Sequence, residues 1–209
     1  MHIVIAGNIG SGKTTLTKML AKHYGWDLRL ESVTYNPYLE DYYKDMPRWA
    51  LNLEVYFLKE RFRDLLEINR SIRPVIQDRS IYEGVYIFTA NNHDMGNMSD
   101  RDFDTYMGLF NSMMMVVQKP DLMVYLKASV AHLVDNIHKR GREYEQNMRL
   151  DYLKNLNDRY DKFFQKQYNG SRITVDVENL DFVRNKGDFA LITSSINKKI
   201  DMSNRNLFI

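Results

Sequence analysis

A short apolar run, HIVIA at residues 2–6, leads directly into GNIGSGKT at residues 7–14. No other stretch constrains the fold as much. It matches G-x-x-x-x-G-K-[ST] at every position, and it lies between a strand-like run and helical text, the context that pattern requires. Gly7, Gly10 and Gly12 let the backbone curl so that successive N–H groups converge. The helix that follows adds the partial positive charge of its N-terminus. A strand, a phosphate-cradling turn and a helix are therefore predicted within the first 24 residues.

The chemistry of such a turn is specific. Gly7, Asn8, Ile9, Gly10, Ser11, Gly12, Lys13, Thr14 and Thr15 are the candidate nucleotide-binding residues. Lys13 is placed to neutralise β- and γ-phosphates, and the Thr14 hydroxyl to reach Mg²⁺. The expected ligand is a nucleoside triphosphate with Mg²⁺.

Further along, short apolar runs alternate with helical periodicity. Strands are predicted at 2–6, 27–31, 73–77, 121–126 and 172–177. Helices are predicted at 13–24, 38–44, 47–70, 80–90, 99–118, 129–139, 149–167 and 188–200, with NNHDMGNMSD (91–100) as a polar loop. Ser99 and Asp102 read as a capping box. Alternating elements indicate an α/β fold with a parallel sheet covered on both faces. All 209 residues are expected to form one domain, without repeat or linker.

Composition narrows the function classes. A net charge of +2 offers no basic surface that argues for nucleic acid or a membrane. No apolar run approaches the roughly 20 residues of a membrane span. MHIVIAGNIG lacks the cationic lead of a signal peptide, and with no cysteine there are no disulfides or thiolate metal sites. A cytoplasmic location is expected.

Phosphoryl transfer also needs an acceptor site, and three charged clusters are candidates. Glu31 ends the second strand, at the carboxyl edge where open α/β sheets bind ligands, and can take a proton from an acceptor hydroxyl. QDRS (77–80) closes the third strand at the same edge. There Asp78 is a candidate for holding Mg²⁺ through water, and Arg79 for positioning Glu31 and the acceptor oxygen. RGREYE (140–145) sets Arg140, Arg142 and Glu145 between helices, as a lid over phosphates requires.

Together, GNIGSGKT, Glu31, YYKDMPRW, QDRSIYEG, RGREYEQ and DVENLDFV resemble the deoxyribonucleoside kinases of the deoxycytidine, deoxyguanosine and deoxyadenosine kinase type. The resemblance spans nearly the whole chain. It implies a P-loop NTPase of the nucleoside monophosphate kinase-like fold, with a five-stranded parallel sheet, in a homodimer. ATP–Mg²⁺ would donate its γ-phosphate to the 5′-hydroxyl of a deoxyribonucleoside, with a lid at 140–147 and feedback inhibition by a deoxynucleoside triphosphate. By position, Glu31 matches the general base, Arg79 the neighbouring catalytic arginine and Asp78 the Mg²⁺-associated acid. Arg140 and Arg142 match lid arginines that stabilise the transferring group. Tyr43 and Glu145 match the pair that holds the sugar 3′-hydroxyl, and Phe88 the aromatic that stacks on the base. A third lid arginine of animal members is Asn136 here.

The helix containing LNLEVYFLKERF (51–62) carries Glu54 and Arg61 at the centre of its apolar face. Unpartnered buried charge is expensive, so both must face something polar. The resemblance places both at the base edge, bordered by Phe57 and Phe88. A direct Glu54–Arg61 pair is the competing structural reading. The family usually has Gln at 54 and Asp at 84, where this chain has Gly84.

An ionised Glu54 accepts from guanine N1–H and N2–H, while Arg61 donates to O6 or N7. A Glu54 kept protonated by burial would mimic Gln and admit adenine or cytosine. The resulting expectation is a purine, with deoxyguanosine ahead of deoxyadenosine. Two rival readings stay open. A nucleoside monophosphate kinase such as a thymidylate kinase would need extra arginines for its acceptor phosphate. A non-catalytic GTP switch would need N-K-x-D, and NKKID (197–201) puts Ile200 where Asp is required.

Overall fold

The computed structural model describes residues 1–31, 36–142, 145 and 148–205, leaving aside the side chains of 203–205. Five strands form one sheet: β1 (His2–Gly7), β2 (Asp27–Arg29), β3 (Val75–Asp78), β4 (Leu122–Lys127) and β5 (Arg172–Asp176). Their order is β2-β3-β1-β4-β5, and every neighbouring pair is parallel. β1 is buried throughout because strands flank it on both sides. Its alternating side chains feed two cores, Val4 and Ala6 on one face, Ile3 and Ile5 on the other. Leu58, Leu65, Tyr160 and Phe163 complete the first core, and Leu16, Leu20, Leu133 and Ile196 the second.

The helices are α1 (Lys13–Tyr24), α2 (Leu39–Lys44), α3 (Met46–Arg70), α4 (Ile81–Glu83), α5 (Ala90–Asp94), α6 (Asp100–Met114), α7 (Val130–Arg140), α8 (Leu150–Lys162) and α9 (Lys186–Arg205). Local chemistry starts and stops them. Asp45 caps α3 by accepting from the Arg48 N–H, with Pro47 in the first turn. Gly25 ends α1 at φ 68°. Ser99 accepts the Asp102 N–H at 3.2 Å and opens α6.

Three boundaries differ most from the sequence reading, one of them the end of α9, which runs to Arg205 rather than to 200. The segment from 91 is not a loop at its start: π-helical Gly84–Thr89 joins α4 to α5, and helix continues to Asp94. Polar Asn91 and Asn92 look like loop residues, yet both are buried, and the Asn92 amide has side-chain partners inside the fold. The next helix stops at Met114, short of 118.

In register, Ile5 pairs with Asp78 and Gly7 with Leu126. The phosphate turn, Asp78 and Arg79 therefore emerge together at the carboxyl edge of the sheet. Glu31 follows β2 at that same edge.

Candidate active site

The turn after β1 has the backbone its sequence requires. Gly10 has φ +87°, and a Cβ there would lie 2.5 Å from the Leu133 carbonyl oxygen. Only glycine fits that approach. Asn136 donates its amide to the Gly10 carbonyl at 2.8 Å. Asn8 is buried, and its amide donates to the Leu153 carbonyl at 3.1 Å and to Asn157 Oδ1 at 3.2 Å. A cleft beside the turn is lined by Gly10, Ser11, Gly12, Lys13, Thr14, Thr15, Asn136, Arg140, Arg142 and Phe182.

The Lys13 ammonium donates to the Asn8 carbonyl at 2.7 Å. Burial, reinforced by Arg79, pulls its pKa down to about 7. A polyphosphate placed there would restore its charge. The Thr14 hydroxyl donates to Asp78 Oδ2 at 2.5 Å, whereas the buried Asp78 Oδ1 has no partner among the described residues. Burial pushes the Asp78 carboxyl up. A hydroxyl beside a carboxylate with one unused oxygen is the hard-oxygen donor set that Mg²⁺ takes through water.

Next to this lies a cavity of about 300 Å³. Its walls include Ile9, Lys13, Thr14, Glu31, Tyr43, Glu54, Phe57, Arg61, Asp78, Arg79, Phe88, Arg140, Arg142 and Glu145. The fold thus brings the candidate base, lid, sugar and base-edge residues to one space. Gly84 lies behind Arg61 in this arrangement.

Glu31 receives two cations. Arg61 Nη2 donates to Oε1, and Arg79 Nε lies 2.9 Å from Oε2. Burial alone would raise the Glu31 pKa, but Arg79 and Arg61 outweigh it and pull it down to about 2. The Arg79 guanidinium also lies 4.5 Å over the Phe88 ring, and that of Arg61 4.8 Å over Phe57. Of the candidate lid segment 140–147, only residues 140–142 and 145 lie among the described residues; there Arg140 Nε donates to Glu145 Oε2 at 3.0 Å, and Arg142 Nη1 approaches Oε1 at 3.4 Å.

The paradox of α3 resolves in an unexpected way. Glu54 and Arg61 do not pair with each other. Glu54 Oε2 accepts from the Thr89 hydroxyl at 3.1 Å, and Oε1 from the Asn92 amide at 3.0 Å. Asn92 is oriented in turn, because its Oδ1 accepts from the Tyr42 hydroxyl at 2.8 Å and the Asn97 amide at 3.2 Å. Burial pushes Glu54 up to about 7, with Arg61, Thr89 and Asn92 opposing that rise and Glu31 adding to it. Tyr42, Tyr106 and Tyr152 are the other titratable groups facing its charge. Arg61 Nε and Nη1 are buried with no partner among the described residues. A Cβ on Gly84 would lie 2.3 Å from that Nη1, so Arg61 occupies space that an Asp would contest.

Sequence reading overlooked Thr89, Asn92, Tyr42, Glu83 and Tyr160, all close to this site. Only Glu83 carried a local signal: Ser80-x-x-Glu83 is a capping-box pattern, and both of its hydrogen bonds form.

A P-loop turn beside a pocket that holds a carboxylate between two arginines defines a P-loop phosphotransferase. The deoxynucleoside kinase profile matches residues 3–201, and the chain belongs to that family. It is 36% identical to the deoxyadenosine/deoxycytidine kinase of Bacillus subtilis, over 93% of this chain and 90% of that protein. It is 32% identical to the deoxyguanosine kinase of the same organism, over 95% and 97%. A structure of deoxyadenosine kinase from M. mycoides with bound dATP superposes with a TM-score of 0.83 at 31% identity, covering 94% of this chain and all of that one. The protein is therefore a deoxynucleoside kinase with a nucleotide-binding P-loop fold, an enzyme of the phosphotransferase class.

Proposed function

We propose that this kinase uses ATP–Mg²⁺ to phosphorylate the 5′-hydroxyl of purine deoxyribonucleosides, deoxyguanosine first and deoxyadenosine next, as a cytoplasmic salvage enzyme. The observation that carries the base preference is the division of labour on α3. Glu54 is held by two neutral donors as an oriented acceptor, and Arg61 has Nε and Nη1 without a partner among the described residues. An acceptor edge beside a donor edge complements guanine, whose N1–H and N2–H donate while O6 and N7 accept. With its pKa near 7, Glu54 is also protonated part of the time and can then donate to adenine N1. That supports both purines on one scaffold, in line with relatives named for deoxyadenosine and for deoxyguanosine.

In the proposed reaction the 5′-oxygen attacks the γ-phosphorus in line, its proton passes to Glu31, the bond to the β–γ bridging oxygen breaks, and ADP leaves. Glu31 stays ionised at neutral pH because two arginines hold it so. Lys13, Arg140 and Arg142 converge on the transferring phosphoryl group, and Arg79 on the acceptor oxygen. Thr14 and Asp78 would hold Mg²⁺, which supplies charge neutralisation at the β- and γ-phosphates. Tyr43 and Glu145 grip the 3′-hydroxyl, and Phe57 and Phe88 flank the base. A homodimer, with feedback inhibition by a deoxynucleoside triphosphate spanning both pockets, completes this reading.

The test is kcat/KM for the four deoxynucleosides with wild type and Glu54→Gln. Deoxyguanosine should lead in wild type and lose its lead in the variant. Deoxyadenosine leading in both would overturn the guanine preference, and turnover of monophosphates alone would overturn nucleoside phosphorylation.

A further inference from the structure

Arg79 is the only non-glycine residue with positive φ among those described, at 68°. A side chain held in that strained backbone needs over-determined surroundings. They begin with Tyr160, whose hydroxyl accepts from Arg79 Nη1 at 3.0 Å and donates to Glu83 Oε1 at 2.9 Å. Tyr160 and Glu83 are both fully buried, so water cannot substitute for either contact. Glu83 is fastened further. Its Oε1 also accepts the Gly7 N–H at 3.2 Å, and its Oε2 accepts the Ser80 N–H at 2.7 Å and the Ser80 hydroxyl at 3.1 Å. One carboxylate thus ties the first residue of the phosphate turn to the turn that carries Arg79.

The same face of α8 holds the phosphate turn a second time. Leu153 and Asn157 receive the Asn8 amide, and Tyr160 follows at the next helical repeat of that face. Arg79 then presents Nε to Glu31 at 2.9 Å.

We propose that Tyr160 and Glu83 are positioning residues for Arg79, holding its guanidinium against Glu31 independently of which base occupies the pocket. This rests on the roles proposed above for Glu31 and Arg79. Its chemistry is simple: the buried Glu83 carboxylate accepts from the phenol, and the polarised phenol oxygen accepts from the guanidinium more strongly. The phenol carries no charge and moves no proton between them.

Tyr160→Phe tests this, because it removes one hydroxyl and keeps the ring that stacks on Tyr125. With full-length protein and saturating ATP–Mg²⁺, kcat should fall about 10- to 30-fold, while the nucleoside KM stays within about twofold. Relative kcat/KM among the four bases should be unchanged. The acidic limb of the kcat–pH profile should move to higher pH, since Arg79 no longer holds Glu31 down. Glu83→Gln should give the same signature, which covers the case of a poorly folded Tyr160→Phe. Wild-type kcat in a folded variant, an unmoved acidic limb, or a changed base ranking would each overturn the proposal. A Glu31→Gln enzyme that is inactive beside an unaffected Tyr160→Phe enzyme would refute the positioning role alone. An active Glu31→Gln enzyme would refute the underlying assignment of the base.

Discussion

Arg61 reaches from α3 to Glu31 while Glu54, seven positions before it on the same helix, is bound by Thr89 and Asn92. The two carboxylates thus share one neighbouring cation: Arg61, whose Nε and Nη1 are buried with no partner among the described residues, opposes the rise of the Glu54 pKa and helps to depress that of Glu31.

Glu31→Gln should lower kcat by about 10²- to 10⁴-fold, with a smaller effect on the nucleoside KM. It should also destabilise the protein, because Arg61 and Arg79 are left buried without an anionic partner. Breaking such a pair costs about 3–5 kcal/mol. Steady-state kinetics and a thermal melt check both parts.

Base choice should depend on pH. Glu54 is ionised above about 7 and protonated below it. The ratio of kcat/KM for deoxyguanosine over deoxyadenosine should therefore rise between pH 6 and pH 8, by about threefold or more if each form admits one base. Glu54→Gln should flatten the ratio across this range.

The same group makes a stability prediction. Its folded pKa, about 7, lies above the ordinary 4.5, so the native state binds the extra proton between those values. The stability it contributes is fully present below 4.5 and lost as pH rises through 7. Glu54→Gln removes that loss. Its stability gain over wild type, read from thermal melts, should be larger at pH 8 than at pH 5 by about 1–3 kcal/mol.

Gly84→Asp should draw Arg61 away from Glu31, since the new side chain would start 2.3 Å from Arg61 Nη1 and carry an opposite charge. The Arg61 tip can swing, so the fold should survive. Glu31 would lose one of its two cations, and the acidic limb of kcat should move up by about half a pH unit or more. Combined with Glu54→Gln, the substitution should shift preference away from guanine in the substrate panel.

Thr14→Ala should raise the Mg²⁺ concentration needed for half-maximal rate about tenfold, because it removes the hydroxyl that sits 2.5 Å from Asp78. Chelation of Mg²⁺ should abolish turnover in both proteins. A magnesium titration at fixed ATP is the measurement.

The phosphate turn, the alternation of strands and helices, and the arrival of Glu31 and Asp78-Arg79-Ser80 at one sheet edge are legible in the amino-acid order alone. These are short-range properties: glycine dihedrals, side-chain period and strand ends are written within a few residues of one another. That order also marks Glu54 and Arg61 as buried charges that need partners. Which partners they meet depends on how the chain packs. Arg61 finds Glu31 across 30 residues, Glu54 finds Asn92 across 38, and Arg79 finds Tyr160 across 81. Asn92 shows why no local pattern could supply this. In sequence it is a loop-like polar residue, and only the fold, by bringing α5 within hydrogen-bond distance of Glu54, turns its amide into a buried donor. A buried charge takes whichever polar group the packed helices bring within about 3 Å, and that distance exists only once the chain has folded.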